Sequence, residues 1–296
     1  MANNFGTDRE YLAKVFIPQL DEVYKRASLT SVLDGAQDLA RQGANAHELI
    51  IPMLNMDGLA NYDRNGGYVN GDVTMTNQTY KCNYDRGRMF VVDTLDNQES
   101  VNIAFGRLAA EFIRTKVVPE LDAWRMSTYA AKSGIGAVDA GANLTTAASL
   151  IAALRKGLQT MDNAEVPFED RVLFIASGLH DMIDDQDLTK SNRVLSAFSQ
   201  IIKMPQGRFY SAIDLYDGST SGQTDGGFVK AAAGKNLNFM IVHKGAVIQY
   251  QKHVAPKIIN PDQNQTADAW KYGYRTVGIA DVYANKLVGI YKHMGA

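Results

Sequence analysis

Apolar and polar residues alternate along 73–76 and 79–84, on either side of Asn77-Gln78, which is the period of a half-buried strand. The pattern predicts a two-stranded hairpin that turns at Asn77-Gln78. From Asp96 the period changes. Val101, Phe105, Leu108 and Phe112 recur at alternating steps of four and three, and Val117, Leu121 and Trp124 resume the stripe. Asp96 is a good N-cap, and Glu99 stands at capping-box spacing from it. A helix over 97–131 would be roughly 50 Å long at about 1.5 Å per residue, about three times the usual length. Pro119 should bend it or divide it in two. Residues 61–131 thus read as a hairpin feeding an unusually long helix, and neither part looks able to satisfy itself. An isolated hairpin is marginal in water, and the neighbouring sequence offers no obvious surface for it. Another copy of the chain could supply one. The heptad is not kept through Pro119, so the helix reads as a spine under a sheet in preference to a coiled coil.

The remaining segments give a mixed pattern. Tyr11, Val15, Leu20, Val23 and Tyr24 form a weak stripe, 36–40 is a second short helical stretch, and Pro18 argues against one continuous helix. Residues 1–48 read as an extended arm too thin to carry its own core. The run ELIIPMLNM at 48–56 is strand-like, with a proline that suits an edge or a bend. A turn-rich loop follows from Gly58 to Gly67. Arg86-Gly87-Arg88 separates the hairpin from a short apolar strand over 89–92. Residues 134–141 are a flexible break. Thr145 or Thr146 then caps a clean amphipathic helix through Leu150, Ile151, Leu154, Leu158 and Met161. RVLFIAS at 171–177 reads as a buried strand, followed by a helix carrying His180, Met182 and Ile183 and another over 192–204. Pro205-Gln206-Gly207 turns into a strand at Phe209-Tyr210, and 218–227 reads as a mobile surface loop. The spans 237–242 and 246–250 look like strands paired about Lys244-Gly245. Residues 272–291 read as two strands broken near Ala284-Asn285.

Composition narrows the chemistry. The chain has 296 residues, 46% of them hydrophobic, with a net charge of −2. There is no global basic field to grip nucleic acid. The one cysteine, Cys82, can form neither an internal disulfide nor a multi-thiolate metal site, and at an apolar strand position it reads as a small hydrophobe. Asp8, Arg9, Glu10 and Lys14 interrupt the N-terminal stretch, so no secretory leader is expected. No apolar run approaches the roughly 20 residues that span a bilayer. Gly134-Ile135-Gly136 is half of a dinucleotide fingerprint, but it follows a helix and lacks the third glycine. His47-Glu48 has no second histidine one turn later. Ser177 and His180 are the best nucleophile pair, against the plainer reading of a strand end and a helix start. Asp181, Asp184, Asp185 and Asp187 could face a hard cation, or form a solvated acidic face. Arg86, Arg88, Asp93 and Asp96 could make salt bridges between subunits, or serve as surface solvation. Trp124 and Trp270 read as core or interface anchors. No catalytic, cofactor-binding or metal-ligating residue is assigned, and the chain is not expected to be an enzyme.

The order of parts, an arm, an orphan hairpin, a long helix, a mixed α/β region and closing strands, resembles the major capsid protein of tailed bacteriophages, with the Hong Kong 97-type fold shared with encapsulin shells. Four stretches carry the likeness: DRGRMFVVD at 85–93, VPELDAWR at 118–125, MPQGRF at 204–209 and VYANKLVGIY at 282–291. The resemblance implies an α+β chain with an N-arm over 1–48, an extended E-loop hairpin over 49–95, a peripheral domain with the spine helix over 96–141, a mainly axial domain over 142–270 and closing strands over 271–296. It also implies self-assembly into pentamers and hexamers that form an icosahedral shell around double-stranded DNA, held without sequence-specific binding. The implied partners are further copies of the chain, a separate scaffolding protein (given the short arm before the E-loop) and a portal protein, with no membrane. The implied location is the virion capsid, assembled in the bacterial host cytoplasm. Lys81 lies in the loop, yet nothing pairs it with a particular asparagine for the crosslink some members form. The competing expectations are an encapsulin-like compartment with a protein cargo and, more remotely, a soluble α/β hydrolase using Ser177 and His180.

Overall fold

The computed structural model describes residues 28–35, 41–42, 48–95, 103–135, 142–184 and 193–296. At its centre is a four-stranded sheet in the order β12-β9-β5-β6: β5 is Arg171–Ala176, β6 Gln200–Met204, β9 Leu237–His243 and β12 Ile290–Met294. β5 pairs parallel with β6 and antiparallel with β9. Every residue of β5 is buried, as expected for a strand covered on both faces. The period of two divides the layers. Leu173, Ile175, Phe239, Ile241 and Tyr291 face helix α3 (Ala147–Asn163), whose Leu150, Leu154 and Met161 complete that layer. Val172, Phe174, Met240, Val242 and Ile290 face the long helix on the other side. Thr146 caps α3 by accepting from Ser149 N at 3.2 Å, one of the two caps the sequence offered. Helix α4 (Ser177–Asp184) joins β5 to β6.

The long helix runs unbroken through Pro119. It comprises α1 (Ile103–Phe112), a π-turn (Ile113–Val117) and α2 (Val118–Ala131), about 43 Å in all at ~1.5 Å per residue. Proline lacks an N–H, and its ring crowds the carbonyl four residues back. The wider π-turn immediately before it shifts the hydrogen-bond ladder there, and Pro119 falls in the first turn of α2, where a missing N–H costs least. The expected cap at Asp96 and Glu99 lies outside the described residues.

A second, three-stranded sheet lies against this helix in the order β10-β11-β4: β4 is Tyr84–Asp93, β10 Val247–Ile259 and β11 Ala269–Val282. β4 is one strand, including the Arg86-Gly87-Arg88 that was expected to interrupt it. Gly87 permits this, because a Cβ there would sit 2.7 Å from the Tyr274 carbonyl. A third sheet carries β1 (Arg41–Gln42), β2 (Glu48–Met56) and β3 (Val73–Lys81). A small pair, β7 (Ile213–Leu215) with β8 (Phe228–Lys230), completes the described strands.

Several expectations are corrected. Asn77-Gln78 is not a turn. It lies within β3, opposite Pro52 and Ile51 of β2, and it lacks the glycine that a two-residue hairpin turn favours. Residues 200–204 are strand β6, not helix, because their backbone completes the edge of the β5 sheet. β9 and β10 do not pair with each other: β9 joins β5 and β12, while β10 joins β11, with a 3₁₀ turn (Lys244–Ala246) passing the chain between sheets. Cys82 is half-buried in the link between β3 and β4, not within a strand. The weak helical stripe over 11–24 and the short stretch over 36–40 fall outside the described residues.

Candidate assembly surface

The true hairpin is β2–β3, closed by residues 57–72. Its neck is set by Asp57, whose N–H donates to the Asp72 carbonyl at 3.2 Å and whose Oδ2 accepts from Asp72 N at 2.8 Å. Nested inside is a turn in which Gly67 N donates to Asp63 O at 2.8 Å; the φ of 80° at Gly67 favours glycine. Among the described residues, the base of the hairpin rests on the body. There Ile51 packs with Ile248 of β10 and Ile279 of β11, flanked by Tyr80, Tyr250 and Tyr283. Beyond that, the register places Leu54 opposite Met75 and Met56 opposite Val73. These four side chains share one face of the ribbon, and all are more than half exposed. Tyr62 and Tyr68, in the segment that closes the hairpin, form an edge-to-face pair with centroids 4.9 Å apart, and both are exposed. The opposite face carries Met53, Asn55, Thr74 and Thr76 and, at the base, Ile51. A ribbon that exposes Leu54, Met56, Val73 and Met75 together on one face presents a hydrophobic surface of the kind that marks an interaction site. Pro52 lies beyond the reach of β1, where β2 is an edge and proline is tolerated.

The arm is bound to α2 by a buried carboxylate. Asp122 is fully buried. Its Oδ1 accepts from Ser28 Oγ at 2.8 Å, Thr30 Oγ1 at 2.6 Å and Thr30 N at 3.2 Å. Its Oδ2 accepts from Leu29 N at 3.1 Å and from Arg208 at 3.4 Å. Arg125, one turn on, donates to Thr30 Oγ1 at 2.9 Å, and Gln249 of β10 donates to the Thr30 carbonyl at 2.7 Å. Buried charge is tolerated only when paired and fully hydrogen-bonded, and here the arm supplies most of the partners. The sequence stripe marked Leu121 and Trp124 correctly but left Asp122 and Arg125 on an apparently solvent-facing side. That side is covered by residues 28–35, which no local signal announces.

The other candidate residues have plain structural positions. Ser177 opens α4 and His180 follows on the same helix. Asp181 faces Lys203 Nζ at 3.3 Å, while Asp185 and Asp187 lie outside the described residues. Among the described residues, no group of three or more His, Cys, Asp or Glu side chains is placed to hold a metal ion. Arg86 binds Glu120 within the chain at 2.7 Å, Arg88 donates to the Thr224 carbonyl at 3.0 Å, and Asp93 accepts from Leu95 N at 2.9 Å. The two arginines therefore hold the glycine-rich loop over 216–227, which includes the 218–227 expected to be a surface loop. Trp124 is a core anchor against Tyr84, with ring centroids 4.6 Å apart. Among the described residues, no helix is long and apolar enough to cross a membrane.

No protein-family profile matches the chain, and no curated protein matches it. Solved structures do. The capsid of Staphylococcus phage Andhra aligns over 89% of this chain and 83% of its own, with a TM-score of 0.57 at 11% identity. The mature capsid of bacteriophage PhiM1 aligns over 84% and 82%, with a TM-score of 0.54 at 11% identity. A virus-like particle from Pyrococcus furiosus aligns over 94% and 96%, with a TM-score of 0.56 at 10% identity. The architecture is that of these capsid and particle structures. More narrowly, the chain has the Hong Kong 97-type fold of tailed-phage capsids, as the sequence stretches suggested.

Proposed function

We propose that this chain is the major capsid protein of a tailed bacteriophage, acting through contacts between copies and not through catalysis. The observation that carries the reading is the uncovered apolar face of the β2–β3 hairpin on a chain with this fold. In this reading residues 1–48 form the N-arm, 49–95 the E-loop, 96–141 the peripheral region with the spine helix, 142–270 mainly the axial domain and 271–296 the closing strands. Within 49–95, β2 and β3 pair with each other, and β4 (84–93) pairs with β11. Copies associate as pentamers and hexamers, heterologous contacts closing into rings and rings into a shell. A scaffolding protein guides closure, a portal occupies one vertex, and double-stranded DNA fills the interior without sequence-specific contacts, in keeping with a net charge of −2. Assembly takes place in the bacterial cytoplasm and the product is the virion shell. An encapsulin-like compartment would use a similar wall around protein cargo; the phage capsid matches favour the first reading.

The test is co-expression of the chain with the scaffolding protein of the same phage, followed by electron microscopy. Closed shells are expected. A monomer that stays monodisperse at every concentration and with scaffold would refute the assignment, and shells that retain a specific protein cargo in place of DNA would favour the compartment.

A further inference from the structure

We propose that Arg86 is a coupling residue that makes the 216–227 loop follow the first turn of α2. One guanidinium joins its own strand to two further elements. From β4, Arg86 Nε donates to Glu120 Oε1 at 2.7 Å and Nη2 to Oε2 at 3.3 Å, a bidentate grip on the helix. Its Nη1 donates to the Tyr216 carbonyl at 2.7 Å and its Nη2 to the Gly227 carbonyl at 3.3 Å. Those carbonyls stand at the two ends of the loop, which Tyr216 N closes by donating to Gly227 O at 2.9 Å. The guanidinium therefore holds the loop at its neck.

Two features make this bridge matter. A cleft of about 950 Å³ lies between β4, the long helix and the loop, with Phe90, Phe112, Tyr216 and Phe228 among its walls. Space between helix and loop is thus not filled by interlocking side chains, and the polar bridge carries the connection. The bridge is also shielded: the Arg86 and Glu120 side chains are 24% and 11% exposed, so solvent and salt weaken it less than a surface pair. Tyr84 donates to the same Glu120 Oε1 at 2.9 Å and fixes the carboxylate. Arg88 adds a second hold through Thr224 O, and the nearby Gly226 has a φ of 68°, which favours glycine. Glu120 belongs to the turn that follows the π-turn and Pro119, where the helix ladder is already shifted. A change of bend at that point displaces Glu120, and through Arg86 the loop moves with it. The coupling is a property of the folded chain and does not depend on the capsid reading.

Amide hydrogen exchange on the unassembled chain tests this. In Arg86→Gln, exchange across 216–227 is expected to rise about tenfold or more, while β5 and β9 keep the parent's protection. Glu120→Gln, which preserves shape, is expected to give a smaller rise in the same direction. The double variant should expose the loop no further than Arg86→Gln alone, because the two residues act through one bridge. Arg86→Lys should not restore protection, since one ammonium cannot span the carboxylate and both carbonyls. Parent-like exchange of the loop in a folded Arg86→Gln, additive effects in the double variant, or full rescue by lysine would each overturn the proposal. Should Arg86→Gln fail to fold, Glu120→Gln decides alone: raised loop exchange supports the coupling and unchanged exchange refutes it.

Discussion

Replacing Asp122 with alanine tests whether the arm is part of the folded core. The carboxylate accepts from five donors, two hydroxyls and two backbone N–H groups of residues 28–30 and the guanidinium of Arg208. Alanine removes the acceptor and leaves the Ser28 and Thr30 hydroxyls in a buried site without it. Hydrogen bonds to a charged group contribute about 1.5–3 kcal/mol each, though not additively. Breaking a buried charged network by deleting one partner costs about 3–5 kcal/mol, and we take that as the expected loss. For a chain of this size, roughly 2–3 °C of Tm accompany each kcal/mol, so the unassembled subunit should melt about 6–15 °C lower. Calorimetry measures the shift, and limited proteolysis reports whether 28–35 has detached. Asp122→Asn should fall between alanine and parent, because its amide keeps one acceptor but turns a donor toward Leu29 N and Arg208 or toward the hydroxyls. Arg208→Gln should cost less, about 1 kcal/mol or under, since that side chain is partly exposed and its contact is longer, at 3.4 Å. An Asp122→Ala subunit melting within about 2 °C of the parent, with 28–35 still protected, would refute the reasoning.

The double change Leu54→Asp and Met75→Asp puts two charges on the exposed face of the hairpin; the subunit's urea midpoint should stay within error, while shells detected by electron microscopy should be lost. Gly157 of α3 leaves no room for a side chain, a Cβ there meeting Ile241 Cδ1 at 2.9 Å, so Gly157→Leu should lower stability by about 1–3 kcal/mol through overpacking, read from urea denaturation. Tyr84 gives a pH dependence: burial first, and the neighbouring Glu120 carboxylate second, hold its pKa well above the ordinary 10.0. The folded chain therefore keeps a proton that the unfolded chain releases, so this contribution is fully present below pH 10.0 and is lost as pH rises above it. Tyr272, pushed up to about 12 by burial, acts in the same direction. Urea midpoints at pH 8 and at about pH 11 should converge more in Tyr84→Phe than in the parent; equal pH sensitivity would remove Tyr84 from the account.

Much of the fold was legible where the signal is local. The stripe of α3, its cap at Thr146, the apolar run of β5 after Arg171 and the break between the last two strands follow from periodicity and capping chemistry, which depend on residues a few positions apart. A hairpin was expected from the alternation over 73–84, but the two strands expected there are the single strand β3, whose partner is β2. The turn was misplaced, since strand alternation continues through Asn77-Gln78 and periodicity alone does not distinguish a tight turn from the middle of a strand. The strand at 200–204 was read as helix because β6 exists by pairing with β5 along a sheet edge, a contact no short window contains. Pro119 could be read as a bend or a break, and only the π-turn beside it shows how the helix continues.

The sequence by itself determined which faces are apolar, and so which elements needed partners: two layers around β5, and an alternating run over 73–84. The tertiary structure decided who those partners are. Asp122 meets Ser28 and Thr30 across more than ninety residues, and Arg86 meets Glu120 across 34 residues and Tyr216 across 130. Apolar burial is nondirectional and leaves a periodic trace in the chain. Hydrogen bonds and ion pairs need specific geometry between residues brought together only by folding, and they leave no such trace.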